Sequence, residues 1–277
     1  MTVSLQELFD AGAHLGHQAQ KWHPRIKPWI YCEQDGIHIF DLEKTLQQLE
    51  AAKKRIQELK ASGKSVIVVA TKKQASEIVM NLAIQAKVMY VINRWPGGLI
   101  TNWEQVRKSI KRMNDIEAGL AGDKYQDFTK YERLLLEKQL SRLKRLFGGL
   151  KELKNKPDAL LVIDGMKEQN AVAEALKEGV ELIGLIDSNT DPTGINLPIP
   201  ANDDALSSIR LIVAEVLGVA TSADRKQTVV AAAKREDEVA DEATKKVSKV
   251  ALKKEVASKK ASQSVKSVKT TKVTQRG

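Results

Sequence analysis

Val66-Ile67-Val68-Val69-Ala70-Thr71-Lys72-Lys73-Gln74-Ala75 is the stretch that sets the architecture. Four consecutive branched apolar residues, without the alternation of a half-exposed strand, describe a strand covered on both faces, as in a parallel sheet clad by helices. Three further runs have the same character: Val88-Met89-Tyr90-Val91-Ile92, Leu160-Leu161-Val162-Ile163 and Leu182-Ile183-Gly184-Leu185-Ile186. Between them apolar residues recur at helical spacing, in Leu42, Leu46, Leu49, Ile56 and Leu59, in Ile78, Val79, Leu82 and Ala86, and in Ala171, Val172, Ala175 and Leu176. Asp203 and Asp204 are expected to cap a fourth helix carrying Leu206, Ile209, Val213, Val216 and Leu217. Strands alternating with helices of these lengths predict an α/β doubly wound parallel sheet, whose ligands belong at the carboxyl ends of the strands.

That fold so often serves nucleotide enzymes that the first turn has to be tested. After Ala70 there is neither a G-x-G-x-x-G turn nor a Walker-type phosphate loop, and Lys72 and Lys73 offer side-chain phosphate contacts instead of a backbone cradle. A nucleotide-binding enzyme of this doubly wound class is therefore the alternative, not the preferred reading. The second strand leads into Asn93-Arg94-Trp95-Pro96-Gly97-Gly98-Leu99-Ile100-Thr101-Asn102. Arg94 suits a phosphate, Trp95 can pack or stack, Gly97 and Gly98 let the backbone approach a ligand, and Asn102 closes the loop. No nucleophile, base or metal cluster accompanies them, which points to binding of a polyanion and not to turnover.

Residues 103–154 separate the second strand from the third and have their own period. Trp103, Val106, Ile110, Met113, Ile116 and Leu120 step by threes and fours, as do Leu136, Leu140, Leu143, Phe147 and Leu150. This is the seam of an inserted antiparallel, coiled-coil-like helical hairpin. Gly119 to Phe128 supply its turn, and Gly148-Gly149 are expected to loosen the return helix. Arg107 and Lys108, early in the first arm, join the candidate RNA contacts.

Upstream, His17-Gln18-Ala19-Gln20-Lys21-Trp22-His23-Pro24-Arg25-Ile26-Lys27-Pro28-Trp29-Ile30-Tyr31 interleaves cations with aromatic rings. Prolines are expected to hold this segment extended, so that Lys21, Arg25 and Lys27 meet phosphates while Trp22 stacks or packs inward. Zinc over His14, His17, His23, His38 and Cys32 is disfavoured, because only one thiol exists. Magnesium at Asp187, Asp191, Asp203 and Asp204 is weighed against turns and caps, which such residues more often make. No cofactor and no metal is expected.

The net charge of +10 is unevenly spread. Residues 1–102 carry +4, 103–154 carry +5, 155–222 carry −7 and 223–277 carry +8. The asymmetry fits a protein set against nucleic acid on one side, with its acidic part turned to solvent or protein. Residues 223–277 contain no aromatic side chain and are rich in Lys, Ser, Thr, Ala and Val, so a disordered Lys-rich tail is expected after a domain spanning 1–222. Such a tail either keeps the chain soluble or tethers it to RNA. A single cysteine, no signal-like first segment and no membrane-length apolar run lead to the expectation of a cytoplasmic protein.

Several motifs in order carry a resemblance. They are Ala11-Gly12-Ala13-His14-Leu15-Gly16-His17; Gly36-Ile37-His38-Ile39 with Asp41-Leu42; Thr71-Lys72-Lys73-Gln74-Ala75; Arg94-Trp95-Pro96-Gly97-Gly98; Asp187-Ser188-Asn189-Thr190-Asp191-Pro192; and Ile199-Pro200-Ala201-Asn202-Asp203-Asp204. Over about residues 4–220 the chain resembles the bacterial members of the universal S-two family of ribosomal proteins. The resemblance implies a flavodoxin-like fold with an inserted hairpin and a structural, non-enzymatic role in the small subunit. It also implies contact with small-subunit ribosomal RNA and with neighbouring ribosomal proteins, including the large messenger-binding protein one.

Overall fold

A computed structural model describes residues 3–219. The chain opens with α1 (Leu5–Asp10), started by a reciprocal capping box between Ser4 and Glu7. Three short strands follow, β1 (Leu15–Gln18), β2 (Ile30–Gln34) and β3 (Ile37–Phe40), paired antiparallel in the order β1-β3-β2. Asp35 and Gly36 make the β2–β3 turn with φ of 51° and 74°, the pair of positive values that a two-residue hairpin turn demands. Between β1 and β2 the chain is not extended, as the prolines had suggested. Pro24 instead opens a 3-10 helix, Pro24–Trp29, because a fixed φ near −65° suits a first helical position as well as an extended one.

The main body follows as α2 (Leu42–Ala61), β4 (Val66–Val69), α3 (Lys73–Gln85), β5 (Met89–Val91), α4 (Trp103–Ala121), α5 (Lys130–Phe147), β6 (Ala159–Ile163), α6 (Gln169–Glu178), β7 (Glu181–Ile186), β8 (Leu197–Pro200) and α7 (Leu206–Leu217). The five strands β5-β4-β6-β7-β8 form a wholly parallel sheet. The chain steps outward from β4 to β5 and then returns past β4 to β6, which is the flavodoxin-like strand order. Sheet residues alternate between two cores. Val66, Val68, Leu161, Ile163, Ile183, Leu185 and Ile199 pack with α2, α3 and α7, whereas Ile67, Val69, Leu160, Val162, Leu182 and Ile186 pack with α6 and the base of the hairpin. Continuous apolarity thus serves two faces at once, each fully buried Val, Leu or Ile contributing about 1.5–3 kcal/mol.

Arms of 19 and 18 residues make the insert roughly 28 Å long. Val106, Ile110 and Met113 of α4, with Phe147 and Leu150, belong to the second core. Farther out the seam thins, and Phe128, Tyr131, Leu134 and Leu135 are exposed. Gly148 and Gly149 do not loosen α5, which ends at Phe147; they form a 3-10 turn against β5. A Cβ on Gly149 would overlap the Tyr90 carbonyl and ring. Gly149→Ala is accordingly expected to cost about 1–3 kcal/mol by forcing the hairpin base off β5. An unchanged midpoint in urea unfolding would show that β5 yields without strain.

Asp203 and Asp204 do not cap α7 either. Its N-cap is Ala205, and Asn202 Oδ1 accepts from the amides of Asp204 and Ala205, leaving both aspartates free to turn toward the sheet. The tail expected over 223–277 lies outside the described residues.

Candidate nucleic-acid interface

The loop after β5 is held from beneath by Glu174 of α6. Its Oε1 accepts from Trp95 Nε1 at 2.9 Å and Gly98 N at 2.8 Å, while Oε2 accepts from Ile100 N at 3.1 Å, Thr101 N at 3.2 Å and Thr101 Oγ1 at 3.2 Å. Gly98 adopts φ +84°, which lets its amide turn inward. The sequence reading offered these amides and this ring to a ligand, but the protein's own carboxylate takes them. Trp95 is 6% exposed and packs in the second core, so it is no stacking platform, and the Gly98 amide is not open to a phosphate. Arg94, Gly97 and Asn102 stay exposed at the loop surface.

Burial opposes ionisation of Glu174, yet the hydrogen bonds from Trp95, Gly98, Ile100 and Thr101 outweigh it and hold the carboxyl below its ordinary value. A depressed folded-state pKa stabilises the loop at pH values above the unfolded carboxylate range, about 4.3, and the contribution is lost as pH falls through the folded value. The expected result is a loop that stays seated at pH 5 and opens only in more strongly acidic solution. Comparing the fluorescence titration of the wild type with that of Trp95→Phe isolates the ring; opening above pH 5 would contradict the anchor.

Lys72 stands at the carboxyl end of β4, where the sequence placed a phosphate contact. Its Nζ instead lies 2.6 Å from Asp203 Oδ1, 2.6 Å from Asp204 Oδ1 and 3.6 Å from Asp164 Oδ2. Burial lowers its basicity, but the two hydrogen-bonded aspartates raise it by more, so the ammonium is permanently charged and committed inside the protein. Asp203 is pushed up to about 7, first by burial and then by Asp187 and Asp164, against the pull of Lys72. His17 adds its ring, with Nδ1 2.9 Å from Asp187 Oδ1 and Nε2 3.4 Å from Asp204 Oδ2. Thus the carboxyl ends of β6, β7 and β8 supply Asp164, Asp187 and Asp203 to the crevice that holds a nucleotide in other proteins of this topology. Four carboxylates there repel a phosphate. This electrostatics disfavours the nucleotide-binding alternative.

The amino-terminal sheet reaches the crevice because Gly16 has no side chain. A Cβ there would lie 3.0 Å from both the His38 carbonyl oxygen and Ser188 Oγ. His17 N then donates to Ser188 Oγ at 2.8 Å and His23 N to the Ser188 carbonyl at 2.7 Å. The remaining zinc candidates scatter: His14 stacks on Phe9 at 4.3 Å, His23 faces Asp191 at 3.8 Å, His38 lies beneath Trp22 at 5.0 Å, and Cys32 is exposed. Arg25 is drawn to Asp191 at 3.3 Å and to the Thr193 hydroxyl, so it is partly engaged within the chain.

Lys21, Lys27, Lys73, Arg94, Arg107 and Lys108 are exposed, and their side chains pair with nothing among the described residues. They leave the amino-terminal segment, the carboxyl ends of β4 and β5, and the first turns of α4, all near the rim of the sheet. One functional residue, Glu174, is singled out by nothing in its own stretch of sequence. A tryptophan N–H and a run of loop amides signal that an acceptor is required, but not which of the eleven acidic residues in 155–222 supplies it.

A family model described as ribosomal protein S2 matches residues 8–223. The small ribosomal subunit protein uS2 of Cytophaga hutchinsonii is 39% identical over 246 residues, covering 88% of this chain and 97% of that protein. The protein of the same name from Chloroflexus aurantiacus is 40% identical over 225 residues, covering 81% and 94%.

Proposed function

Because the chain belongs to the ribosomal protein S2 family, we propose that Lys21, Lys27, Lys73, Arg94, Arg107 and Lys108 are its contacts to the phosphates of small-subunit ribosomal RNA. The protein is a structural constituent of the small ribosomal subunit, associated with its RNA and proteins, and not an enzyme. The carrying observation is the division of its cations. Lys72 and, in part, Arg25 are committed to internal carboxylates, whereas the six at the rim have no protein partner among the described residues. Exposed unpaired cations on a rigid rim release counterions on meeting a phosphate backbone without first breaking an ion pair.

Asn102 and the half-buried Trp22 border this rim, with Trp22 supporting it from the inside through His38. Gly97 and Gly98 shape the loop that presents Arg94. A protein partner is supported by Phe128, Tyr131, Leu134 and Leu135, apolar and exposed at the outer part of the hairpin. The family resemblance names the large messenger-binding protein one among the neighbouring proteins, without assigning it a surface of this chain. Membership of a ribosomal protein family supports a location in the cytoplasm with the ribosome. Among the described residues no helix is long and apolar enough to cross a membrane.

The test is sedimentation of cell extract through a sucrose gradient in magnesium buffer, with the protein and ribosomal RNA followed in each fraction. The protein is expected to track with small subunits. Its confinement to the free-protein fractions would sink the reading.

A further inference from the structure

Outside the RNA-facing rim, the acidic cluster at the carboxyl ends of β7 and β8 is unexplained by RNA binding. We propose that His17, Asp187, Asp203 and Asp204 bind one divalent transition-metal cation of the zinc class and thereby clamp the amino-terminal sheet to the α/β body. One ligand atom from each of the four residues lies within 4.8 Å of all the others. Bonds of about 2.0–2.2 Å to a common cation set tetrahedral ligands about 3.4 Å apart, so the widest pair closes by at most about 1.4 Å, a movement that the partly exposed His17 and the exposed Asp204 can supply by side-chain rotation.

A second observation points to a ligand independently of the clustering. Asp203 is 1% exposed, its Oδ1 is taken by Lys72 at 2.6 Å, and its buried Oδ2 has no hydrogen-bond partner. Buried carboxylate oxygens are seldom left unsatisfied, and such an orphan calls for a cation or a donor. Charge agrees with this. Lys72 meets Asp164, Asp203 and Asp204, and Asp187 is met by His17, so the carboxylates outnumber the one ammonium they contact when His17 is neutral.

The imidazole chooses the class of ion. Both ring nitrogens of His17 face carboxylate oxygens, yet a neutral ring has one N–H. With Nδ1–H donated to Asp187, the Nε2 lone pair faces Asp204, an arrangement that a cation between them makes favourable. Holding a metal-ligating histidine by its other nitrogen on a carboxylate is the usual way its tautomer is set. Magnesium and calcium prefer all-oxygen shells, whereas one imidazole with carboxylates suits zinc. Ser188 reinforces the site by donating its amide to Asp187 Oδ1 at 2.5 Å and accepting His17 N at 2.8 Å.

The test uses the full-length chain without an affinity tag. Zinc content is measured after dialysis against metal-free buffer, and chelator-stripped protein is titrated calorimetrically with zinc chloride, alongside Asp203→Asn and His17→Gln. Expected are about one zinc per chain, at least roughly tenfold weaker binding in either variant, and a thermal midpoint that rises with zinc in the wild type alone. His17 sits at the margin of the cluster, so His17→Gln remains informative if Asp203→Asn fails to fold. Absence of zinc binding, equal binding by the variants, or a response to millimolar magnesium that survives His17→Gln would each overturn the proposal.

Discussion

Glu174→Ala is expected to unseat the 93–102 loop and lower the stability of the protein by about 3 kcal/mol, the cost of leaving several half-buried donors without their charged acceptor. Five donors converge on this one carboxylate, from the Trp95 ring, three backbone amides and the Thr101 hydroxyl. Truncation removes all of them together, and water enters beside a tryptophan that belongs to the second core. Glu174→Gln is expected to fall between the two. Its carbonyl oxygen still accepts one pair of donors, but its amide nitrogen turns two hydrogens toward donors that have none to accept. Urea unfolding monitored at two wavelengths measures both variants. A Glu174→Ala protein within 0.5 kcal/mol of the wild type, a margin typical of surface substitutions, would mean that the loop is held by packing alone. The same variant should also lose small-subunit occupancy, since Arg94 is presented by this loop.

The second large effect concerns the rim. Neutralising Lys21, Lys27, Lys73, Arg94, Arg107 and Lys108 together is expected to reduce the slope of log affinity against log salt by roughly 4 to 5, because each lost phosphate contact removes about 0.7–0.9. Occupancy in purified small subunits should fall at least about tenfold at moderate salt. The side chains are exposed and unpaired among the described residues, so thermal stability should hardly change. Lys72→Ala provides the contrast. It removes the ammonium from three carboxylates, and is expected to lower stability while leaving the salt slope as it was. A slope that responds to Lys72 and ignores the rim would exchange the roles assigned to them.

Much of the fold could be read locally. The apolar runs at Val66, Val88, Leu160 and Leu182 became β4 to β7, the stripe from Leu42 to Leu59 became α2, and the two-armed seam after Trp103 became α4 and α5. Asp35-Gly36, between residues of strand character, is a hairpin signal in its own right. Strand β8 was hidden because Pro198 and Pro200 discourage a strand, although an edge position tolerates them. The 3-10 helix at Pro24–Trp29 is not legible locally, because proline's fixed φ is shared by helical starts and extended chain.

The acidic stretch 155–222 shows where local reading stops. It was expected to face solvent or protein partners, yet Glu174 anchors the loop, Glu181 binds Arg55, Glu215 binds Lys53, and Asp164, Asp187, Asp203 and Asp204 converge on Lys72 and His17. Trp95 and Glu174 are 79 positions apart, and Lys72 and Asp203 are 131 apart. The residues by themselves determined the α/β class, the inserted hairpin, the basic balance and the family motifs, since each is written in periodicity or composition along the chain. Only the tertiary structure decided which cations are spent inside and which face RNA. A parallel sheet gathers the carboxyl ends of distant strands at one edge, and the partner of each charge is settled by that convergence in space, not by its neighbours in sequence.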